Sequence, residues 1–171
     1  SNRLYFEPLE EKHLTVEYIN WLNSPKITEY NSHGIFPNTK EKTLQYIQDI
    51  QNDSRTIVFT ITDHLSDTHI GNIAIQDIDF LNSSCEISIL IGNREYWSNG
   101  YGYEAFDRII QHCFNKLNLN KVSAGTTSDN IGMQKVAQKL NMKHEGTRRS
   151  EILRDSVYYD IELFGLLIKP S

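Results

Sequence analysis

The 171-residue sequence has only two cysteines, Cys85 and Cys113, and no Cys-x-x-Cys or histidine-rich spacing that could build a zinc site. No window approaches the roughly 20 consecutive apolar residues of a membrane-spanning helix. The net charge is -5 and the basic residues are scattered apart from Arg148-Arg149, so nucleic-acid binding has little support. We therefore expect no metal, no nucleic-acid partner and no membrane partner, and two reduced cysteines in the core.

What is present is the composition of a globular protein. Hydrophobic residues make up 39% and charged residues 23% of the chain, a balance that excludes disordered and fibrous proteins. The length matches one ordinary domain, so we expect a single domain over residues 1–171. We interpret Ser1-Asn2 as the remnant of an expression tag, because the structural pattern begins at Arg3. The start has no basic region followed by an apolar run, which favours a cytoplasmic location.

Hydrophobic spacing and turn residues predict the element order β-α-α-β-β-β-α-β-α-β-β. Short turn-rich connections between the second, third and fourth strands indicate an antiparallel meander. The clearest helix has an i, i+3, i+4 stripe from Phe106 to Leu117. The predicted elements are strand 3–7, a helix through Leu22, a helix from Thr39 to Ile50, strands 56–62, 69–78 and 86–91, a helix from Tyr103, strand 121–127, helix 130–140, and strands 143–153 and 157–167.

The strongest local signal lies in residues 86–106, where a strand, a short polar loop, two close glycines and a helix start follow one another. The first N–H groups of a helix have no intrahelical partner and lie at the positive end of its dipole. Gly100 and Gly102 have no Cβ, so a diphosphate can approach the main chain closely. This segment therefore predicts an anion site.

Gly100-x-Gly102-x-x-Ala105 also satisfies the dinucleotide fingerprint of a Rossmann unit. Three observations oppose that interpretation. Eight residues separate Ile91 from Gly100, the preceding strands look antiparallel, and no acidic residue ends the next strand, since Asp129 lies beyond it. A helix that simply follows a tight glycine turn is the plainest alternative.

The stretch Tyr96-Trp-Ser-Asn-Gly-Tyr-Gly-Tyr-Glu-Ala105 resembles the pyrophosphate loop of GNAT acetyltransferases. It is most similar to the branch of RimJ/RimL-type ribosomal-protein acetyltransferases and nucleotide-amino-sugar acetyltransferases, in which a Tyr-Trp pair precedes the glycines. Residues 130–146 resemble the family's asparagine-containing helix and its Glu-Gly, with Met133 in place of Ser or Ala and Asn141-Met142 in place of Gly-Phe. Residues 158–160 and 21–25 also resemble segments of the family, so the resemblance covers nearly the whole chain.

The resemblance implies an α+β fold, the GNAT acyl-CoA N-acyltransferase fold, with a mixed and mostly antiparallel sheet, two splayed central parallel strands and about four helices. The implied cofactor is acetyl-CoA, with its pantetheine arm between the splayed strands. A peptide-like arm pairs with an exposed strand edge through backbone groups. The cofactor-binding residues that the resemblance implies are Ile89, Leu90, Ile91, Trp97, Ser98, Asn99, Gly100, Tyr101, Gly102, Tyr103, Asn130, Met133 and Lys139.

The same resemblance suggests catalytic and acceptor-binding residues. Glu86, a base acting directly or through water, Asn130 near the thioester, and Tyr158 as a substitute acid are the catalytic candidates. Many family members have the acid tyrosine at the position of Ala137, so that acid is missing here. The alternative interpretations are an edge ion pair for Glu86 and a packed strand residue for Tyr158. The acceptor pocket is expected from residues that include Glu29, Tyr30 and His33.

The implied function is acetyl transfer from acetyl-CoA to a primary amine. A free α-amine or sugar amine with a pKa near ~8 costs only about 1.4 kcal/mol to deprotonate at neutral pH, against about 4.6 kcal/mol for a lysine. We favour a small or nucleotide-linked amino sugar as the acceptor. A protein N-terminus and a non-catalytic acyl-CoA-binding module are the alternatives, and a homodimer is a further expectation.

Overall fold

The computed structural model describes residues 3–168, so the interpretation of Ser1-Asn2 as a tag remnant lies outside the described residues. In this part of the chain, seven strands form one sheet in the order β1-β2-β3-β4-β5-β7-β6. The strands are β1 (Leu4–Pro8), β2 (Ile57–Asp63), β3 (Thr68–Asp79), β4 (Ser84–Ile91), β5 (Lys121–Thr127), β6 (Lys143–Arg154) and β7 (Val157–Leu167). The helices are α1 (Val16–Leu22), α2 (Lys40–Gln51), α3 (Tyr101–Asn115) and α4 (Ile131–Lys139), with short 3-10 turns at Glu11–His13 and Arg94–Tyr96. The predicted element order is confirmed.

The sheet opens at its centre. β4 and β5 are parallel and pair only at Ser84–Lys121, Cys85–Val122 and Glu86–Ser123. All other neighbouring strands are antiparallel, including the predicted meander of β2, β3 and β4. Beyond Glu86 the two strands part, so the peptide edge of β4 faces a gap. The predicted mixed sheet with splayed parallel strands is therefore confirmed.

Two apolar clusters hold the helices on opposite faces of the sheet. The stripe on α3 buries Phe106, Ile110 and Cys113 against one face, where α4 joins through Ala137. The helices α1 and α2 pack on the other face through residues such as Trp21 and Ile47. Burial of one such large side chain contributes about 1.5–3 kcal/mol, so both layers are held firmly beside the gap.

Local capping sets where the helices begin. Thr15 and Thr39 each accept a hydrogen bond from a first-turn amide, of α1 and α2 respectively. Helix α3 begins at Tyr101, two residues before the predicted start, because Gly100 takes a left-handed conformation with φ of 80° and turns the chain into the helix. The loop residues that precede Gly100 thereby lie beside the gap between β4 and β5.

The two cysteines are free and buried in the core, with 3.7 Å between their sulfur atoms. Both therefore lie where the sequence pattern places them. Across residues 3–168, no helix has the length and apolarity needed to cross a membrane.

Candidate active site

A cleft of about 590 Å³ opens where β4 and β5 separate. Its walls come from both strands, from the loop that precedes α3, from the starts of α3 and α4, and from the connection between α1 and α2. The cleft thus reaches through the plane of the sheet, from the face covered by α3 and α4 to the face covered by α1 and α2.

The edge of β4 presents alternate peptide groups to this cleft. Gly92 donates its N–H to a β3 carbonyl at 2.9 Å, so Leu90, two residues earlier, also directs its peptide groups toward β3. The carbonyl of Ile91 accepts a bond from the Trp97 indole at 2.8 Å on the opposite side. Ile89 and Ile91 therefore face the gap with their peptide groups, and Leu90 also lines the cleft.

The start of α3 forms an uncapped helix end beside this edge. The first intrahelical bond runs from Glu104 N–H to the carbonyl of Gly100 at 3.0 Å, and no side chain caps the helix. The amides of Tyr101, Gly102 and Tyr103 consequently have no protein acceptor among residues 3–168. A Cβ added at Gly102 would meet no atom within 4 Å, so the protein leaves open the space in front of this residue.

Arg3 holds the loop against α3. Its guanidinium forms an ion pair with Glu104 at 2.8 Å, donates to the carbonyl of Asn99 at 3.1 Å and lies 4.1 Å from the centre of the Tyr101 ring. Asn99 also donates its side-chain amide to Glu95 at 3.2 Å. Because Asn99 is engaged in this way, it is the one predicted cofactor residue that does not line the cleft.

The start of α4 forms the opposite wall. Asn130 caps the helix, since its side-chain oxygen accepts a bond from the amide of Met133 at 3.2 Å. Both residues line the cleft, as do Lys135 and Lys139 one and two turns further on. Neither lysine takes part in the ion pairs found within residues 3–168. Two unpaired ammonium groups therefore face a cleft that already carries a positive helix end.

The features of this cleft fit a coenzyme A molecule. An uncapped helix end and a missing Cβ suit a diphosphate, and the ammonium groups of Lys135 and Lys139 suit a further phosphate. The exposed peptide edge of Ile89 and Ile91 suits the amides of a pantetheine arm. Ala137 is fully buried, so no polar side chain stands at the position where the family resemblance implies an acid.

A second, smaller cavity of about 140 Å³ adjoins the cleft on the face covered by α1 and α2. Both cavities share Asn31, Ser88, Ile89 and Leu90. His33 lines the smaller cavity, whereas Glu29 and Tyr30 line the larger cleft. The predicted acceptor residues are thus divided between the two spaces, within two residues in sequence of Asn31, which lines both.

Two of the predicted catalytic residues line neither cavity. Glu86 lies where β4 still pairs with β5, and its carboxylate accepts a bond from Gln76 at 3.3 Å. Tyr158 lies near the turn between β6 and β7 and is 63% exposed. The roles of both residues stay predictions. Asn130, in contrast, lies at the cleft as expected.

Arg154, which local sequence patterns do not mark, connects the segments around the acceptor side. It forms an ion pair with Asp129 and donates to the backbone carbonyl of Glu29 at 2.8 Å. Its guanidinium also lies 4.1 Å from the centre of the Tyr159 ring. The end of β6 is thereby tied to the α1–α2 connection and to the residue before Asn130.

A sheet that opens between parallel strands, beside uncapped helix amides, is the architecture expected of an acyl-CoA N-acyltransferase. A sequence model of the acetyltransferase (GNAT) domain matches residues 3–143. Since this match covers well over half of the chain, the protein belongs to the GNAT acetyltransferase family. It is an N-acetyltransferase, and its cofactor is acetyl-CoA.

Individual relatives agree with this membership. The chain is 27% identical over 161 residues to the uncharacterized N-acetyltransferase p20 of Bacillus licheniformis, covering 93% of this chain and 88% of that protein. It is 24% identical over 167 residues to the uncharacterized N-acetyltransferase YnaD of Bacillus subtilis (strain 168), covering 98% and 95%. Its fold is similar to that of the spermidine N-acetyltransferase from Vibrio cholerae in complex with CoA and spermine, with a TM-score of 0.88, 20% identity, and coverage of 98% and 96%.

Proposed function

We propose that this protein transfers the acetyl group of acetyl-CoA directly to the primary amine of a small acceptor. The observation that carries the proposal is the junction of two spaces at β4. The cleft with the features of a coenzyme site meets the smaller cavity at Ser88, Ile89 and Leu90. A thioester carbonyl held at the β4 edge would therefore face an amine that enters from the other side of the sheet.

The chemistry needs a neutral amine and a donor for the developing oxyanion. The amine nitrogen bonds to the thioester carbonyl carbon, the C–S bond breaks, and sulfur leaves as the thiolate. The amine proton passes to a base or to water. Of the two oxyanion donors that the family resemblance suggests, Ile91 directs its N–H into the gap and Leu90 does not. We therefore assign the oxyanion contact to Ile91.

Two residues are proposed as the base. Glu86 is the family-like choice, but a Gln76 side chain stands between its carboxylate and Ser88, with bonds of 3.3 Å and 3.4 Å. His33 is an ionisable residue that lines the smaller cavity, which we call the acceptor-side cavity. A thiol with a pKa near ~8.5 leaves readily as an anion. Loss of the usual acid therefore raises the activation free energy by roughly 1–2 kcal/mol and does not abolish the reaction. Tyr158 or a water molecule is proposed as the proton donor.

For the acceptor we keep a small or nucleotide-linked amino sugar as the first proposal. A protein N-terminus, as in the RimJ/RimL-type branch, is the second, and it is supported by the Tyr-Trp pair at Tyr96-Trp97. The neighbour from Vibrio cholerae is a spermidine enzyme, which adds polyamines as a third class to be tested. A homodimer in solution remains part of the proposal.

The test is release of the CoA thiol from acetyl-CoA in the presence of amino sugars, N-terminal peptides and polyamines, followed by identification of the acetylated product. We expect at least one small primary amine to give turnover well above the rate of acetyl-CoA hydrolysis. Tight CoA binding with no acetylation of any amine would refute the proposal and favour a non-catalytic acyl-CoA-binding module.

A further inference from the structure

The acceptor-side cavity lies on the sheet face that α1 and α2 cover. Residues alternate along β4, so that Ile87 joins the cluster beside α3 while Leu90 packs in the cluster beside α1. Ser88 and Leu90 share one face and border the cavity. The cavity meets the β4 edge at its junction with the cleft, where Ser88, Ile89 and Leu90 line both spaces.

Among residues 3–168, those that line this cavity include no carboxylate and no lysine or arginine. Apolar and aromatic side chains form much of it, and three amides, the hydroxyls of one serine and two tyrosines, and one imidazole supply its polar groups. The lining residues are Tyr18, Leu22, Asn31, His33, Tyr46, Val58, Asn72, Ala74, Gln76, Ser88, Ile89 and Leu90. Burial also raises the pKa of the Tyr18 hydroxyl, so Tyr18 supplies no negative charge at neutral pH.

Several of these polar groups are already engaged inside the protein. Asn72 accepts a bond from His69 at 2.8 Å, and Asn31 accepts one from the amide of His33 at 2.9 Å. The side-chain oxygen of Gln76 accepts a bond from Ser88 at 3.4 Å. These bonds reduce the number of free acceptors that remain for a cationic ligand.

The adjoining cleft has no acidic surplus either. Its charged lining residues are Lys26, Lys135, Lys139 and Glu29. Glu29 forms an ion pair with Lys26 at 3.3 Å, which leaves two lysines uncompensated within the lining. The positive charge of these two lysines favours binding of the cofactor phosphates and disfavours a second cationic group on the acceptor.

Resting on the proposed function, we propose that the acceptor is a compact monoamine whose remaining groups are uncharged, such as a free amino sugar, and that polyamines and nucleotide-linked amino sugars are excluded. A second ammonium group would leave water without a carboxylate to pair with it, and burial of an unpaired charge is strongly unfavourable. A methyl or hydroxyl group in the same place meets apolar walls or amide partners instead. The small volume, about 140 Å³, is well below the ~300–1,000 Å³ of sites for drug-sized ligands.

The test compares two amines of equal size that differ in one group. Pentylamine and 1,4-diaminobutane have the same number of heavy atoms, with a methyl group in one where the other has an ammonium group. Their affinities are measured by calorimetry on protein saturated with CoA, and their kcat/KM values are measured with acetyl-CoA. We expect pentylamine to bind at least tenfold more tightly and to react with a kcat/KM at least tenfold higher, with glucosamine also accepted and spermidine not.

A charge added to the cavity should shift this preference. Asn31→Asp is nearly isosteric, keeps an oxygen for the His33 amide and places a carboxylate at the junction of the two spaces. We expect it to raise the ratio of diamine to monoamine affinity at least fivefold. Asn118→Asp, on the exposed connection between α3 and β5, makes the same change in net charge and should leave the ratio unchanged.

The outcomes separate this proposal from the proposed function. Equal or tighter binding of 1,4-diaminobutane to the wild-type protein would overturn the monoamine proposal, as would failure of both amines and glucosamine to bind. Binding in the expected order without acetylation of any amine would leave the monoamine cavity standing and refute the catalytic function.

Discussion

Gly102→Ala is expected to change the stability of the free protein and its affinity for CoA in opposite directions. Gly102 is the second residue of α3, and a Cβ there would meet no protein atom within 4 Å. Replacing glycine by alanine in a helix stabilises by about 0.5–1 kcal/mol. For a domain of this size, 1 kcal/mol corresponds to a Tm change of about 2–4 °C, so the free protein should melt about 1–4 °C higher.

The same methyl group would occupy the space that we assign to the diphosphate. If it displaces one phosphate oxygen from the helix amides, it removes a charge-assisted hydrogen bond worth about 1.5–3 kcal/mol. The Kd for CoA should therefore rise about 10- to 150-fold. Calorimetry with CoA measures the affinity, and thermal unfolding with and without CoA measures both effects on one sample.

Gly100→Ala provides the contrast. Gly100 has φ of 80°, where an L-residue costs roughly 1–2 kcal/mol, so this variant should melt below the wild-type protein even without ligand. A Gly102→Ala protein that binds CoA as tightly as the wild type would refute the assignment of the diphosphate to the start of α3. A lower melting temperature for free Gly102→Ala would show that the space before this residue is not open.

Three further substitutions test the Trp97 contact, the Arg154 contacts and the effect of burial on His69. Trp97→Phe removes the indole donor to the Ile91 carbonyl, a bond worth about 1 kcal/mol, so CoA affinity should fall about fivefold; an unchanged affinity in calorimetry would argue against this anchor. Arg154→Ala frees the Glu29 carbonyl and Asp129 and should raise the KM for the amine about tenfold or more while raising that for acetyl-CoA less. Arg148→Ala, on the same strand and paired within residues 3–168 only with exposed Glu151, is its control, and equal KM changes for both substrates would contradict a positioning role on the acceptor side. Burial beside the Trp21 ring lowers the pKa of His69, partly offset by its bonds to Asn72 and Gly71, so the folded protein disfavours the charged imidazole. Neutral His69 therefore contributes to the free energy of unfolding above the ordinary pKa near 6.5, and this contribution is lost as the pH falls below that value. The Tm of the wild type should fall more between pH 7 and pH 5 than the Tm of His69→Gln. Equal decreases in Tm would refute this.

Local patterns in the sequence were enough to predict most of the fold. The α3 stripe, the helix start at Thr39 and the turn-rich connections are all signals within a few residues, and the elements that they predict are confirmed. The proposed anion site at Gly100 and Gly102 also follows from local signals, since a helix start and missing Cβ atoms can be read locally; its occupancy by an anion stays a prediction.

The contacts that organise the site could not be predicted in this way. Arg3 and Glu104 are 101 residues apart, and Arg154 and Glu29 are 125 residues apart, so no local periodicity marks either pair. The direction of the Leu90 peptide depends on register with β3, which the sequence of β4 alone does not contain. Tyr158 has a strand-like pattern, but its 63% exposure follows from the outer position of the β6–β7 hairpin.

The central claim is that free amides at the start of α3 hold the coenzyme diphosphate while the pantetheine arm lies against the edge of β4. A crystal structure of the protein with CoA tests it directly. We expect phosphate oxygens within hydrogen-bond distance of the Gly102 and Tyr103 amides, with pantetheine groups bonded to the Ile89 or Ile91 backbone. Ordered CoA bound elsewhere on the protein, with the α3 amides facing only water, would contradict it.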